Sequence, residues 1–459
     1  MKFNAIIIGF GKGGKTLAGY LAKKGFSVCL VEKSKMMYGG TCINVGCIPS
    51  KTLINSSTSV AEKGNLDIKN KKHLYLKAVE NKRRVTALLR AANYNKLASL
   101  EKVTILDGTA SFIDDNKVKV ILENGKEVIL EGEKIFINVG SKSIIPNIKG
   151  INESNKVYYS DSLMDLDVLP LNLSIIGGGY IGLEFASMYA DFGSKVTIIQ
   201  DGPVFLPRED KDIAQEIYDN FTSRGINIIM GAKIKEITKG GTIKYNFSDN
   251  ETIDILKSNA ILVATGRTAN TTDLHLENAH VNVDRHNSIV VDEHLLTSNK
   301  NIYALGDCKG GLQFTYISLD DYRIVKDHLE NNQKSTKLLP NRSNVPYSVF
   351  INPSLSRVGL SEKEVIEKGY TYKIAKLKAN AIPKTMVLNN RNGLLKVIID
   401  AKTDFILGAS LYCLESYEMI NILKMAIDLN VKYTYLRDNI YTHPTMSEAF
   451  NDLFSNIVS

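Results

Sequence analysis

Residues 3–33, FNAIIIGFGKGGKTLAGYLAKKGFSVCLVEK, decide the fold of this chain. They begin with an apolar run at residues 3–8. Three glycines in GxGxxG spacing come next: Gly9, Gly11 and Gly14. A segment of helical period then ends at Gly25, and a second apolar run ends on Glu32, 23 positions after Gly9. This order of strand, tight turn, helix and strand indicates a dinucleotide-binding unit, because glycines let the backbone approach a pyrophosphate at the helix N-terminus.

The same pattern occurs a second time along the chain. A strand-like run at residues 173–176 precedes a glycine turn and a helical segment that stops at Gly193. The turn contains Gly177, Gly179 and Gly182. The next run ends on Gln200, again 23 positions after the first glycine. One GxGxxG match is weak evidence, but two matches in the same context predict two nucleotide-binding units.

The two units differ at the position that faces an adenosine ribose. An acid there accepts hydrogen bonds from the ribose and repels a 2′-phosphate, so Glu32 suits FAD or NAD. Gln200 carries no charge and would accept a ribose diol or tolerate a 2′-phosphate. Arg208 follows eight residues later and is a candidate for binding that phosphate. We therefore expect either NADH or NADPH at the second unit.

Two further strand-like runs bracket the second unit. Residues 135–139 precede it and residues 261–264 follow it, each ending in a glycine turn. Beyond residue 341, alternating strands and two helical stretches, residues 417–430 and 446–457, indicate a separate α+β domain. We predict an α/β protein with two Rossmann-like domains, one inserted in the other, and a C-terminal α+β domain. The predicted boundaries are 1–145 with 268–335, then 146–267, then 336–459.

Length and composition exclude several classes of protein. The 459 residues exceed the length of about 250–300 at which one core stops growing, and 44% of them are hydrophobic. No apolar run reaches the roughly 18–20 residues of a membrane-spanning helix, and the first strand-like run begins at Phe3, where a leader peptide would lie. The net charge of +8 is diffuse. We expect a soluble, cytoplasmic protein that binds neither membrane nor nucleic acid.

Two of the five cysteines lie close together, in GGTCINVGCIPSK at residues 39–51. Zinc is disfavoured, because the chain has no second cysteine pair and only His73 nearby, and we expect no metal site. In an ideal helix the Cα atoms of Cys42 and Cys47 would be about 8–9 Å apart, beyond the Cα–Cα limit of roughly 7 Å for a disulfide. Either the pair never bridges, or the turn at Gly46 is distorted and the bridge is reducible, which indicates redox chemistry.

Three other residues are candidates for supporting that chemistry. Lys51 lies four residues after Cys47, where its ammonium would favour a thiolate, although an ordinary surface lysine is the alternative. His443 precedes Glu448 by five residues, and a carboxylate can orient an imidazole as a general acid or base. Taken alone that spacing favours a structural histidine, but the cysteine pair favours the catalytic interpretation.

The motifs together resemble the flavoprotein pyridine-nucleotide disulfide oxidoreductases, such as glutathione reductase, dihydrolipoamide dehydrogenase and mercuric reductase. The resemblance covers essentially the whole chain and includes GGGYIGLE (177–184), ATGR (264–267), ALGD (304–307) and HPTMSE (443–448). It implies FAD at the first unit, NAD(P)H at the second, and a C-terminal dimerisation domain. It also implies a homodimer in which His443 and Glu448 reach the other subunit's active site.

The resemblance further implies a role for particular residues. Cys47 would face the flavin, Cys42 would meet the substrate, and Lys51 would pair with Glu184 beside the flavin. Asp307 would lie near the ribityl chain and Thr315 near the isoalloxazine. The remaining cofactor-binding residues that it implies are Lys33, Gly40, Thr41, Gly140, Tyr180, Ile181 and Gly266, together with the glycines, Glu32 and Gln200 described above.

Other segments resemble a narrower branch, the bacterial hypothiocyanous acid reductases of reactive-chlorine resistance, once labelled mercuric-reductase-like. They include IGFGKGGKTLA (8–18), FLPRED (205–210) and GLQFTYISLDDYRIV (311–325). Gln200 departs from the acid expected in several relatives. The expected reaction is reduction of hypothiocyanous acid to thiocyanate and water. Dihydrolipoamide dehydrogenase, a mercuric-reductase-like enzyme and a non-catalytic nucleotide-binding protein are the alternatives.

Overall fold

The computed structural model describes residues 1–247, 252–331 and 334–458. The chain forms two compact units. The first contains Met1–Leu53, Lys77–Ile145 and Gly266–Arg342, and the second contains Ile54–Leu76, Pro146–Thr265 and Ser343–Ser459. The three-domain boundaries expected from the sequence stay a prediction.

Helices and strands are numbered along the chain. The helices are α1 (Lys12–Lys23), α2 (Thr41–Asn44), α3 (Cys47–Ala61), α4 (Ile68–Ala98), α5 (Ser160–Leu163), α6 (Tyr180–Phe192), α7 (Lys211–Ser223), α8 (Thr315–Asn331), α9 (Glu362–Glu367), α10 (Pro383–Val387), α11 (Ser416–Asp428), α12 (Tyr433–Asp438) and α13 (Ala449–Ser455). The strands are β1 (Lys2–Ile8), β2 (Val28–Glu32), β3 (Val103–Phe112), β4 (Lys117–Leu122), β5 (Glu127–Ile137), β6 (Ser141–Ser143), β7 (Val157–Tyr158), β8 (Asn172–Ile176), β9 (Lys195–Ile199), β10 (Asn227–Ile229), β11 (Ala232–Ile237), β12 (Thr242–Phe247), β13 (Asp254–Lys257), β14 (Ala260–Val263), β15 (Arg267–Ala269), β16 (Ile302–Ala304), β17 (Tyr347–Val349), β18 (Leu355–Gly359), β19 (Tyr372–Lys378), β20 (Leu394–Asp400), β21 (Ile406–Tyr412) and β22 (Ile457–Val458).

The first unit is built on a parallel sheet in which β1 lies between β2 and β5. β3 extends the sheet beside β2, and β16 extends it beside β5. β4 pairs antiparallel with the ends of β3 and β5. Because β16 follows the second glycine turn in sequence but completes the first sheet, one nucleotide-binding domain is inserted into the other, as predicted.

The second unit contains a second parallel sheet and a larger antiparallel one. β8 lies between β9 and β14, and β10 and β7 form the edges. The antiparallel sheet has the order β17-β18-β21-β20-β19-β22. Its core includes Leu395, Leu411, Leu423 and Phe450, which are fully buried between the strands and helices α11 and α13. The expected α+β domain is therefore confirmed.

The last helix is shorter than the sequence pattern predicts. α13 begins at Ala449 rather than Met446, because residues 445–448 form a turn in which the Thr445 amide donates to Glu448 Oε1 at 2.9 Å. Among the helices that the structure describes, none combines the length and the apolar composition needed to cross a membrane.

Candidate active site

The two glycine turns have nearly the same backbone geometry. The amide of Gly9 donates to Val31 O at 2.8 Å, and the amide of Gly177 donates to Ile199 O at 2.8 Å. Both glycines have positive φ, +102° and +108°, and a Cβ on either would lie within 2.5 Å of a carbonyl oxygen, that of Asn138 or of Ala264. Only glycine fits these positions, so the repeat seen in the sequence is a repeat in structure.

Asn138 holds the first turn and was not identified from the sequence. Its Oδ1 accepts the amide of Gly14 at 2.9 Å, and its Nδ2 donates to Leu305 O at 2.7 Å. A Cβ on Gly11 would meet the same side chain at 2.4 Å. One buried amide therefore ties the start of α1 to the ends of β5 and β16.

Glu32 lies at the end of β2 and is buried. Its carboxylate accepts the amides of Phe10 at 2.9 Å and Ser34 at 3.2 Å. Burial raises the pKa of Glu32 above its usual value, although these amide hydrogen bonds oppose the rise. The next residue, Lys33, is exposed, and its Nζ lies 3.1 Å from Asp273 Oδ2.

Other predicted cofactor-binding residues also lie in the first unit. Gly40 precedes α2 and lies so close to Gly11 that a Cβ on it would be 2.7 Å from the Gly11 Cα. Thr41 Oγ1 would be 3.7 Å from a Cβ on Gly140. Asp307 accepts a 2.7 Å hydrogen bond from Ser141 Oγ. Gly266 lies just before β15, and its carbonyl accepts the amide of Ile144 at 3.0 Å.

These residues fit a flavin dinucleotide. The start of α1 is lined by glycine backbone and offers its positive end to a pyrophosphate. Glu32 presents carboxylate oxygens for ribose hydroxyls, Thr41 adds a hydroxyl, and Asp307 adds a carboxylate for a polyol chain. The donors and acceptors of the first unit therefore match the groups of FAD.

The two turns differ at their second glycine, because the Asn138 side chain lies beside Gly11, whereas no side chain of the described residues lies beside Gly179. A Cβ on Gly179 would meet no atom within 4 Å, whereas one on Gly182 would lie 2.2 Å from Gly177 O. Ile181 is exposed at the start of α6. The hydroxyl of Tyr180 donates to Glu209 Oε1 at 2.5 Å, as does Tyr347 at 2.6 Å. Glu209 and Tyr347 were not singled out individually from the sequence, because the hydrogen-bond partners of Glu209 are distant along the chain.

The cysteine pair lies where two helices are interrupted. α2 ends at Asn44 and α3 begins at Cys47, so residues 45 and 46 are not helical. The ideal-helix spacing therefore does not apply, and the two sulfurs are in hydrogen-bonding contact. Cys42 is half-buried and Cys47 is exposed. The distorted turn is present, and the bridge between the two cysteines stays a prediction.

The surroundings of Cys42 raise the pKa of its thiol. The hydrogen bond with Cys47 and burial raise the pKa of Cys42 well above its usual value, whereas Thr315 and Lys15 lower it. Lys15 is half-buried in α1 and donates to Asn93 Oδ1 at 2.6 Å and to Gly39 O at 3.2 Å. Burial, followed by repulsion from Lys12, lowers the pKa of Lys15 to about 8.

An aromatic pair stands beside Cys47. The sulfur of Cys47 lies 3.5 Å from Thr315 Oγ1 at the start of α8. The rings of Phe314 and Tyr316, on either side of Thr315 in sequence, stack with centroids 5.0 Å apart. Burial, and then the sulfur of Cys47, raises the pKa of Tyr316, so its phenol stays protonated. Thr315 therefore lies beside the redox pair, and its position near the isoalloxazine stays a prediction.

Lys51 and Glu184 belong to different units and are described separately. Lys51 lies on α3, one turn beyond Cys47. Glu184 is buried on α6, and its Oε1 accepts the amide of Phe350 at 2.9 Å. Their pairing stays a prediction.

His443 and Glu448 form a hydrogen-bonded pair. His443 Nδ1 lies 2.7 Å from Glu448 Oε2, and the histidine side chain is 68% exposed. Burial would raise the pKa of Glu448, but the hydrogen bonds from His443 and the Thr445 amide hold it below its usual value. The carboxylate is therefore ionised near neutral pH and accepts the Nδ1 proton, which leaves Nε2 of His443 as an exposed base.

Comparisons with known proteins agree with this geometry. Residues 3–321 match the family described as pyridine nucleotide-disulphide oxidoreductase, and residues 345–454 match its dimerisation domain. The chain is 46% identical over 454 residues to a probable pyridine nucleotide-disulfide oxidoreductase, RclA, of Escherichia coli, and covers 99% of each chain. It is 29% identical to a mercuric reductase of Staphylococcus aureus, covering 97% of this chain and 81% of that protein.

A solved structure extends the similarity to three dimensions. The Cu(II) complex of the HOCl-induced flavoprotein disulfide reductase RclA from Escherichia coli superposes with a TM-score of 0.93, with 46% identity and 99% coverage of both chains. Membership of one family explains these matches. It also explains the sequence motifs, the two glycine turns and the neighbouring thiols. The chain belongs to the pyridine nucleotide-disulphide oxidoreductase family.

Proposed function

We propose that the protein is a homodimeric FAD enzyme that uses NAD(P)H to reduce hypothiocyanous acid to thiocyanate and water. The contact between the sulfurs of Cys42 and Cys47, beside Thr315 and within the first nucleotide-binding unit, carries this proposal. The E. coli relative is named as an HOCl-induced flavoprotein disulfide reductase, which supports a role against reactive oxidants. The overall reaction balances, because NADH and HOSCN give NAD⁺, thiocyanate and water.

The environment of the thiols favours a small oxidant. Cys42, to which we assign the attack, is half-buried, and the stacked rings of Phe314 and Tyr316 flank Thr315 beside its partner thiol. A glutathione or lipoyl disulfide would have to bring two substituents to Cys42. Hypothiocyanous acid has only four heavy atoms and presents an electrophilic sulfur, so it needs no large pocket.

FAD, when bound, supplies the path by which two electrons from NAD(P)H open the Cys42–Cys47 disulfide. The thiolate of Cys42 then attacks the sulfur of hypothiocyanous acid, so that an S–S bond forms and the S–O bond breaks. The departing hydroxide takes a proton and becomes water. Cys47 attacks the Cys42 sulfur next, which re-forms the disulfide and releases thiocyanate.

The raised pKa of Cys42 means that this step needs a base or a proton donor near the pair. His443 of a second copy is our candidate, because its Nε2 is exposed and its Nδ1 is held by Glu448. The match to the dimerisation domain supports this arrangement. The same imidazole would take the Cys42 proton and return it to the leaving hydroxide.

The test is steady-state turnover of the FAD-loaded protein with hypothiocyanous acid, lipoamide, oxidised glutathione and mercuric ion. We expect a clear preference for hypothiocyanous acid and none for the disulfides. Cys42→Ser should retain FAD and lose oxidant reduction, and His443→Gln should lower turnover about 10²–10⁴-fold without loss of FAD. A preference for lipoamide would instead identify a dihydrolipoamide dehydrogenase, and normal turnover by Cys42→Ser would overturn the thiol assignment.

A further inference from the structure

Gln200 takes the place in the second turn that Glu32 takes in the first. Each residue follows the strand after its helix and lies 23 positions beyond the first glycine of its turn. In the first turn, Glu32 accepts the amides of Phe10 and Ser34. Gly178 and Gly202 are the corresponding residues of the second turn. The two side chains can therefore be compared atom by atom.

The amide orientation of Gln200 is determined by its neighbours. Its nitrogen, Nε2, lies 2.8 Å from Gly202 O and 2.9 Å from Val204 O. An oxygen at the Nε2 position would face two carbonyl oxygens with no hydrogen between them, which is repulsive. Both hydrogens of the amide are thus used, and the remaining polar atom of the side chain is the acceptor Oε1.

Oε1 of Gln200 points to the glycine turn. A Cβ on Gly178 would lie 2.1 Å from this oxygen, so only a glycine allows its present position. In the first turn, Glu32 Oε2 lies beside the equivalent residue, Phe10, and accepts its amide at 2.9 Å. Gln200 therefore presents an oxygen where Glu32 presents one, and it differs in lacking a charge and in donating to the loop that follows.

The surroundings of Gln200 are poor in positive charge. The residues from 201 to 207 include Asp201 and neither lysine nor arginine. Arg208, the candidate phosphate ligand of the sequence analysis, is exposed, and its carbonyl accepts Arg357 Nη1 at 2.7 Å. Lys233 is exposed on β11, next to the buried Ala232. A 2′-phosphate at Gln200 would thus meet an acceptor oxygen and the neighbouring Asp201.

We propose that Gln200 accepts a hydrogen bond from the 2′-hydroxyl of the adenosine ribose and so selects NADH over NADPH. The inference rests on the proposed binding of a nicotinamide nucleotide at the second turn. In this proposal the neutral Gln200 takes the role that an acidic residue has in other NAD sites. Its amide hydrogens are bound to the carbonyls of Gly202 and Val204, so only its oxygen is left to face the ribose.

The test measures binding without redox chemistry. The FAD-loaded protein is titrated by calorimetry with ADP-ribose and with 2′-phospho-ADP-ribose, which carry no nicotinamide. We expect ADP-ribose to bind at least about tenfold more tightly. Gln200→Met keeps the side-chain length and removes the acceptor, and it should weaken ADP-ribose binding about three- to tenfold while leaving the phosphorylated ligand within about twofold.

Two further variants distinguish the effect of the acceptor oxygen from the effect of the hydrogen bonds to the loop. Gln200→Glu loses the donation to Gly202 and Val204 but keeps an oxygen, so it should retain the preference for ADP-ribose. Gln215→Met, on the exposed side of α7, is the matched control and should change neither affinity. Equal affinities in the unaltered protein, or an unchanged ratio in Gln200→Met, would overturn the inference while leaving the nucleotide site intact. Failure of both ligands to bind would overturn the proposed function as well.

Discussion

Replacing Arg342 with methionine tests the buried charge network that supports the first unit. Arg342 Nη2 lies 2.6 Å from Asp321 Oδ1, and its Nε lies 2.9 Å from Asp320 Oδ2. The side chain of Asp321 is fully buried on α8 and also accepts the Gly306 amide at 2.7 Å. Arg342→Met keeps most of the buried stem and removes the charge that balances the two aspartates.

The expected cost follows from what remains around Asp321. Removing one partner of a buried pair costs about 3–5 kcal/mol when the other charge is left alone. Lys309 Nζ stays 3.5 Å from Asp321, and the Gly306 amide remains, so we expect a smaller cost of about 2–3 kcal/mol. At roughly 2–4 °C per kcal/mol for a unit of 150–250 residues, the midpoint should fall by about 4–12 °C.

The pH dependence has a definite sign. Burial, opposed by Lys309 and Arg342, raises the pKa of Asp321, so its charged form costs stability near neutral pH and the cost disappears as pH falls. For Asp320, burial is outweighed by Lys337 and Arg342, and its lowered pKa gives stability that is lost in acid. Both interactions with Arg342 vanish when the aspartates are protonated. Removing Arg342 raises the pKa of Asp321 further, so the difference in stability between the two proteins should shrink as the pH falls and Asp321 takes up a proton.

Flavin fluorescence is the measurement, since release of FAD on heating reports unfolding of the first unit. The matched control is Arg323→Met, on the same helix, because Arg323 is 56% exposed and lies 3.7 Å from the same Asp320. An exposed pair of this kind contributes about 0–1 kcal/mol, so the control should lower the midpoint by no more than about 4 °C. Equal midpoints for the two variants, or a larger difference at pH 5, would refute the reasoning.

Two other predictions concern titratable groups of the first unit. Lys15→Met should raise the pH midpoint of Cys42 alkylation by iodoacetamide, because a nearby cation favours the thiolate, whereas exposed Lys23→Met should leave it unchanged. Burial, and then the stacked His294, lower the pKa of His328, so this group gives stability above about pH 6.5 that is lost as pH falls. His328→Phe should flatten the pH dependence of the melting temperature between pH 6.5 and 5. An unchanged slope of melting temperature against pH would contradict this prediction.

Local patterns in the sequence were sufficient for the two nucleotide units. The glycines, the strand lengths and the intervals to Glu32 and Gln200 are properties of short segments, and the spacing of His443 and Glu448 is equally local. The long helix α4 was not predicted as one element, since its charged residues surround it without a clear apolar face. Antiparallel β4 was missed as well, because its partners are set by tertiary pairing.

Contacts between distant residues could not be predicted in the same way. Asn138 lies 124 positions from the glycine amide that it accepts, and no motif marks it. The break between α2 and α3 also depends on contacts between residues that are distant in sequence. Asn44 donates from Nδ2 to Tyr38 O and Gly40 O, and Arg90 Nε donates to Asn44 Oδ1 at 2.8 Å, which anchors the last residue of α2. The ideal-helix spacing therefore does not apply to Cys42 and Cys47, because side-chain anchors end the helix between them.

The same reasoning explains why the family is easier to identify than the substrate. Gly9 and Gly177 make the same 2.8 Å hydrogen bond and exclude any side chain, so a nucleotide turn is specified by residue type alone. In our proposal, the choice of nucleotide depends on the orientation of one amide, which two loop carbonyls set. A cysteine pair is typical of electron transfer, and we propose that the burial of Cys42 and the stacked rings near its partner limit which oxidant can react. Both proposals rest on hydrogen-bond direction and burial, which residue spacing alone does not encode.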